Sequence, residues 1–308
     1  MQAVLQSLIP VFLLLATGWA TRTARVIDEG QWRGFERVTY YILFPALVAE
    51  TLARADLASA PLFGVGGALV LAILAVSALL LVLRKPMEDR LGVSGPSFTS
   101  VFQGATRWNT FVALALAGAL YGNIGATLCA VAIAAMIPLL NVISVLVLSR
   151  YAAPARLSAS EFALTLARNP FIWSCALGLA LNLTGLPLPR AVWSWAEILG
   201  RASLPAGLLV VGSGLDLSRL RRPSAALTVS MALKLVVMPL VAASLARLLG
   251  VTGAGVAVTV ICTAVPTASA SYVLARQMGG DAPLMAEIIT VQTLAAMATM
   301  PLAIALLA

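Results

Sequence analysis

The sequence predicts an all-α polytopic membrane protein of ten transmembrane helices, arranged as two inverted five-helix repeats. Three observations carry that expectation: the composition, the recurrence of apolar runs of membrane-spanning length, and landmark residues that recur at one fixed separation. Of 308 residues, 61% are hydrophobic and 10% are charged, whereas soluble domains keep about a quarter of their residues charged. The mean hydropathy is +0.98. A helix needs roughly 20 apolar residues to cross the hydrocarbon core, and a membrane barrel would show alternating segments of about ten instead.

The apolar runs place spans near residues 3–22, 35–54, 62–83, 97–121, 126–149, 169–186, 190–214, 224–247, 253–278 and 283–306. The first run lacks a basic leader and an A-x-A-like cleavage site and is as long as the others, so it reads as a span rather than a secretion signal. The second ends on Glu50 and Arg54, a pair four residues apart. The fourth is interrupted by "ATRWNT" and the ninth by "CTAVPTASAS". Between the fifth and sixth, Ser158 and Glu161 have capping-box spacing and predict a short helix leading into the sixth. The seventh carries Glu197 and Arg201 at ion-pair spacing. The eighth carries Lys234, and the tenth Glu287.

Charge position sets the topology. Fourteen Lys and Arg residues fall in the loops after the odd-numbered spans, against Arg54, Arg190 and Arg247 in the opposite loops. The positive-inside rule therefore puts the odd loops in the cytoplasm and both termini on the periplasmic face of a bacterial inner membrane. The same distribution explains the net charge of +8 without a nucleic-acid partner. Cys129, Cys175 and Cys262 lie within spans as small buried residues without metal-ligand spacing. The chain has no histidine, so no cofactor or metal is expected, and proton coupling would run through carboxylates: Glu287, with Asp56 and Asp216 as further candidates.

The halves repeat at a separation of 160 residues: Pro10 and Gly18 match Pro170 and Gly178, and Pro45, Ala46, Asp56 and Leu57 match Pro205, Ala206, Asp216 and Leu217. Residues 1–150 form one repeat and 151–308 the other. Five spans is an odd number, so the second copy enters from the opposite side, an arrangement characteristic of transporters.

The two interruptions occupy equivalent places in the repeats. Pro266 removes a backbone donor and predicts unwinding from Pro266 to Ser271. The break in the fourth span rests on Gly104, Asn109 and Thr110. Two half-helix N-termini at mid-membrane would present positive dipole ends to one small volume, which suits an anion. Arg107 and Lys234 each lie about ten residues into a span, roughly 15 Å deep. Arg107 either contacts the ligand or satisfies carbonyls freed by the break. Lys234 is a substrate contact, a fixed cation where another transporter holds sodium, or a side chain snorkelling to the surface. Glu287 alternatively caps its own helix. The candidate substrate-binding residues of the fourth span are Gln103, Arg107, Asn109 and Thr110. Those of the second repeat are Lys234, Pro266, Thr267, Ser269 and Ser271.

With "FPALVAETLA", "RWNTFVALALAGALYG", "NPFIWSCALGLALNLTGLPLP", "MALKLVVMPL" and "AVPTASASYVLARQMGGD" in place, the chain resembles the auxin efflux carrier family, including bacterial permeases related to plant PIN proteins. The resemblance covers about residues 4–306. It implies a fold like that of NhaA and the bile-acid symporters, with crossed broken helices 4 and 9. It also implies a scaffold of helices 1, 2, 6 and 7 that carries a homodimer contact, and an elevator-like transport unit of helices 3–5 and 8–10. Asn109 matches the crossing amide and Pro266 the crossing proline. Where a second amide is expected, the sequence has Ser269, Ala270 and Ser271.

The expected activity is secondary transport of a small organic anion, a malate-like dicarboxylate or an auxin-like aromatic carboxylate. No P-loop precedes Lys85 or Lys234, which argues against ATP-driven pumping. A ligand sensor that does not transport is the rival from another class. An intramembrane enzyme is disfavoured, because no nucleophile–base pair or metal cluster is legible.

Overall fold

The computed structural model describes residues 2–55, 62–152, 164, 170–215, 217 and 224–308. Asp56, Asp216, Ser158 and Glu161 lie outside the described residues, and the expectations that rest on them lie there too. Every regular element among the described residues is helical.

The first half comprises α1 (Gln2–Thr23), α2 (Glu29–Val38), α3 (Phe44–Arg54), α4 (Leu62–Leu91), α5 (Gly95–Thr106) and α6 (Thr110–Tyr151). The second half comprises α7 (Pro170–Thr184), α8 (Arg190–Ser213), α9 (Ala225–Ala232), α10 (Met238–Leu248), α11 (Ala254–Ala264), α12 (Ala270–Gln277) and α13 (Ala282–Leu307). One π-helical turn, Thr39–Leu43, joins α2 to α3, and another, Leu233–Val237, joins α9 to α10. The helix holding the second span begins earlier than hydropathy suggests. Asp28 and Gln31 form a capping box there, bonding reciprocally to each other's backbone N–H, and so start α2 at Glu29 on a polar turn.

Among the described residues, four helical stretches are apolar and long enough to cross a membrane: Phe63–Leu91, Gly95–Tyr151, Ala225–Leu248 and Ala282–Leu307. The second of these has 57 residues, about 85 Å if straight and twice what a bilayer needs. Gly122 divides it. Its φ of 57° and ψ of −139° belong to backbone that glycine adopts without a steric penalty. A Cβ on Gly125 would lie 2.0 Å from the carbonyl oxygen of Ala117; in a continuous helix those residues would stand about 12 Å apart along the axis. The chain therefore doubles back at Gly122. Gly95 consequently lies against the carbonyl of Tyr151, and the hairpin matches the expected fourth and fifth spans.

Two helix pairs pack closely, α1 on α8 and α3 on α7. Gly18 of α1 abuts the Leu209 backbone, where a Cβ would meet the carbonyl oxygen at 2.1 Å; Gly178 of α7 abuts the Ala49 backbone, where the distance would be 2.7 Å. Gly18→Ala is expected to destabilise the protein by about 1–3 kcal/mol, because a neighbouring carbonyl cannot yield as a flexible side chain would. The check is a fall of several degrees in the thermal midpoint. An unchanged midpoint would contradict this packing.

Asn182 of α7 donates through Nδ2 to the carbonyls of Leu52, Ala53 and Ala55, at 3.0, 3.0 and 2.7 Å, and so satisfies the C-terminal end of α3. Arg22 does the same for α8 through the Ser213 carbonyl, 2.8 Å away. The ion pairs read from spacing are present. Arg201 donates to Glu197 at 2.6 Å, Arg54 pairs with Glu50 at 3.1 Å, and Arg54 also reaches Glu197 at 3.9 Å, linking α3 to α8. Large apolar side chains such as Leu13, Val82, Trp195, Ile198 and Leu306 stay exposed on the outer surface, as a protein solvated by lipid requires.

Candidate functional site

Both interruptions expected from the sequence are present, and they are bonded to each other. α5 ends at Thr106, and the chain turns extended at Arg107 (ψ 162°) before α6 begins at Thr110. α11 ends at Ala264, with Val265 extended (ψ 152°), before α12 begins at Ala270. The Asn109 N–H donates to the Pro266 carbonyl at 2.8 Å. The Thr267 hydroxyl donates to the Gln103 carbonyl at 3.1 Å and lies 3.4 Å from the Ser271 hydroxyl. In lipid no water replaces lost helical bonds, so two broken backbones side by side satisfy one another.

Asn109 starts α6. Its side-chain oxygen accepts the Val112 N–H at 3.2 Å as an N-cap, which leaves the amide nitrogen Nδ2 buried without a partner among the described residues. Thr110 occupies the first position of α6 and is half-buried. Gln103 is 0% exposed, and neither polar atom of its carboxamide meets a hydrogen-bond partner among the described residues. Arg107 is half-buried, and its buried guanidinium nitrogen Nη1 and the Trp108 indole nitrogen meet no hydrogen-bond partner among the described residues. Ser269 sits at the N-cap of α12 but makes no side-chain cap bond, and Ser271 is fully buried.

Lys234 lies inside the π-turn between α9 and α10 and is 0% exposed. Its amino nitrogen meets no hydrogen-bond partner among the described residues. Complete burial rules out snorkelling, one of the three roles open at the sequence level. The capping alternative for Glu287 also falls, because Asp281 caps α13, accepting the Leu284 N–H at 3.0 Å. Asp281 further accepts from Ser97 at 2.8 Å and so ties the starts of α5 and α13 together.

Sequence reasoning missed Gln292. It is fully buried on α13, where its Oε1 accepts the Thr267 N–H at 2.9 Å and its Nε2 donates to the Gly104 carbonyl at 3.0 Å. Nε2 also lies 3.2 Å from the Ser230 hydroxyl and 3.4 Å from the Ser230 carbonyl. An amide does serve the second break, and it is supplied from a different helix than the resemblance implied. The available signal was its depth: Gln292 stands about ten residues into the last span, where an amide is expensive unless bonded.

A cavity of about 550 Å³ lies between α1, α6 and α8, lined by Gln6, Pro10, Leu14, Ala115, Leu204 and Pro205 among others. It starts along α6 from the break, since Ala115 follows Asn109 by six residues, about 9 Å of helix rise.

Fold and site together define an integral, multi-pass helical membrane protein centred on paired helix breaks. Residues 154–304 match the family described as Membrane transport protein. Over 313 residues, covering 96% of each chain, the protein is 23% identical to an uncharacterized transporter of Methanothermobacter thermautotrophicus strain Delta H. Over residues 154–304 the resemblance read from the motifs is borne out.

Proposed function

We propose that the protein is a secondary transporter that carries a small organic anion, with the paired breaks as its substrate site. The observation that carries this reading is the set of buried polar atoms that meet no hydrogen-bond partner among the described residues: Lys234 Nζ, Arg107 Nη1, Asn109 Nδ2 and both carboxamide atoms of Gln103. Such groups are costly in a membrane interior unless something satisfies them. Two are basic and a third is an amide donor, so a carboxylate supplies what they lack. The N-terminus of α6 adds a positive dipole end beside Asn109. Glu287, on α13, is the proposed carboxylate for any proton coupling.

Two inverted repeats, 1–150 and 151–308, are the proposed architecture. In support, the Gly18–Leu209 and Gly178–Ala49 contacts exchange under the same 160-residue separation that relates the sequence landmarks. The α1–α8 and α3–α7 pairs then form the scaffold, with the homodimer contact on its outer face. The remaining helices move past it in elevator fashion, and the α1–α6–α8 cavity lies between the two units as a route of approach. Both termini face the periplasm.

Reconstitution in liposomes tests this reading, with labelled malate and labelled indole-3-acetate as probes. Accumulation or counterflow of either is expected. Saturable binding without flux would instead make the protein a sensor, and neither binding nor flux for any organic acid screened would reject the anion site.

A further inference from the structure

We propose that the Gln292 carboxamide stands where a monovalent coupling cation would otherwise sit, so that the paired breaks are held together with no inorganic ion. The inference rests on reading the breaks as a transport site and adds how that site is kept neutral.

Breaking α5 frees the Gly104 carbonyl. In a continuous helix it would accept the N–H of residue 108, but the chain is extended from Arg107 onward. A helix C-terminus carries partial negative charge, and in transporters with interrupted helices such freed carbonyls coordinate Na⁺ or H⁺. Here three oxygens from two separate elements, α5 and α9, converge on one nitrogen: Gly104 O at 3.0 Å, Ser230 Oγ at 3.2 Å and Ser230 O at 3.4 Å. A primary amide has two N–H donors for these three oxygens. The cluster is therefore an oxygen cage around a neutral donor, at amide hydrogen-bond distances rather than the shorter metal–oxygen ones.

The other end of the same side chain accepts the Thr267 N–H of the second break. One residue thus offers a positive pole to the end of α5 and a negative pole to the stretch preceding α12. A Cβ at position 104 would stand 2.3 Å from Ser230 Oγ and 2.8 Å from Ile288, so the Ser230 and Ile288 side chains or α5 itself would have to shift and the cage would be disturbed.

Gln292→Glu tests the assignment. One carboxylate oxygen keeps the Thr267 N–H. The other faces two carbonyls and a hydroxyl, of which only the hydroxyl can donate, so the cage then holds four oxygens with a net negative charge and calls for a cation. Purified protein is unfolded thermally at fixed pH and ionic strength, with N-methylglucamine chloride replaced by NaCl or LiCl. The wild-type midpoint is expected to be unchanged, while that of Gln292→Glu rises by about 3 °C or more at about 150 mM Na⁺ or Li⁺. Stabilisation of the wild type by Na⁺ over N-methylglucamine overturns the proposal, and that arm needs no variant to fold. A folded Gln292→Glu protein that ignores both ions, or whose midpoint follows pH alone, overturns it as well. None of these readouts uses a substrate, so loss of anion flux in liposomes would reject the transport reading and leave this result standing.

Discussion

Lys234→Met is expected to raise the thermal midpoint of the protein and at the same time reduce anion uptake by at least about 30-fold. Met is unbranched and apolar and fills nearly the same volume. The lysine nitrogen meets no hydrogen-bond partner among the described residues, so removing it frees no protein acceptor. Replacing a buried basic group that lacks a hydrogen-bond partner by a hydrophobe of similar volume removes its desolvation cost, and a gain of about 1 kcal/mol or more is a rise of a few degrees for a chain of this size. Removing one partner of a buried charge pair with the ligand costs about 2–5 kcal/mol of binding, and the uptake figure follows from the lower end of that range. Thermal unfolding and liposome uptake measured on the same preparation decide the matter. A less stable variant with normal uptake would make Lys234 a structural residue instead.

The second large effect separates two functions of one side chain. Asn109→Ala removes the N-cap of α6, at about 1 kcal/mol of stability, together with the unpartnered Nδ2. Asn109→Asp keeps an oxygen for the Val112 N–H and places a carboxylate at a helix N-terminus, which is favourable. It nevertheless loses the donor and sets a negative charge against an anion. The Asp variant is therefore expected to fold as well as wild type while uptake falls at least as far as in the Ala variant, by about 10- to 100-fold. Uptake preserved in Asn109→Asp would reduce Asn109 to a cap. Arg107→Ala is expected to lower uptake in the same assay while leaving the protein folded.

The positions of the two breaks were legible because each has a local cause. Pro266 lacks an N–H and clashes with the preceding turn. Asn109 offers its own oxygen to the backbone three residues on, so a helix starts again there. Gln292 was not legible as the complement to these breaks, because a single amide in "TVQTLAAM" shows nothing of what lies opposite. The expectation of a second amide in the ninth span had the right chemistry on the wrong helix. Lys234 shows the same division: its depth followed from counting residues, but whether the flexible stem reaches an interface depends on the helices packed around it.

The sequence by itself determined the membrane class, the all-helical character and the two segments at which helices are interrupted. These follow from rules that act along the chain. Lipid offers no hydrogen bonds, so each segment must satisfy its backbone within itself or carry residues that allow a break. Only the tertiary structure decided that Asn109 bonds to Pro266, that Gln292 joins the end of α5 to the second break, and that Lys234 stays buried with no acceptor among the described residues. Those outcomes depend on distances of about 3 Å between groups up to 188 residues apart, which are set by how close helices approach, as at Gly104 and Gly18. No local pattern encodes that approach.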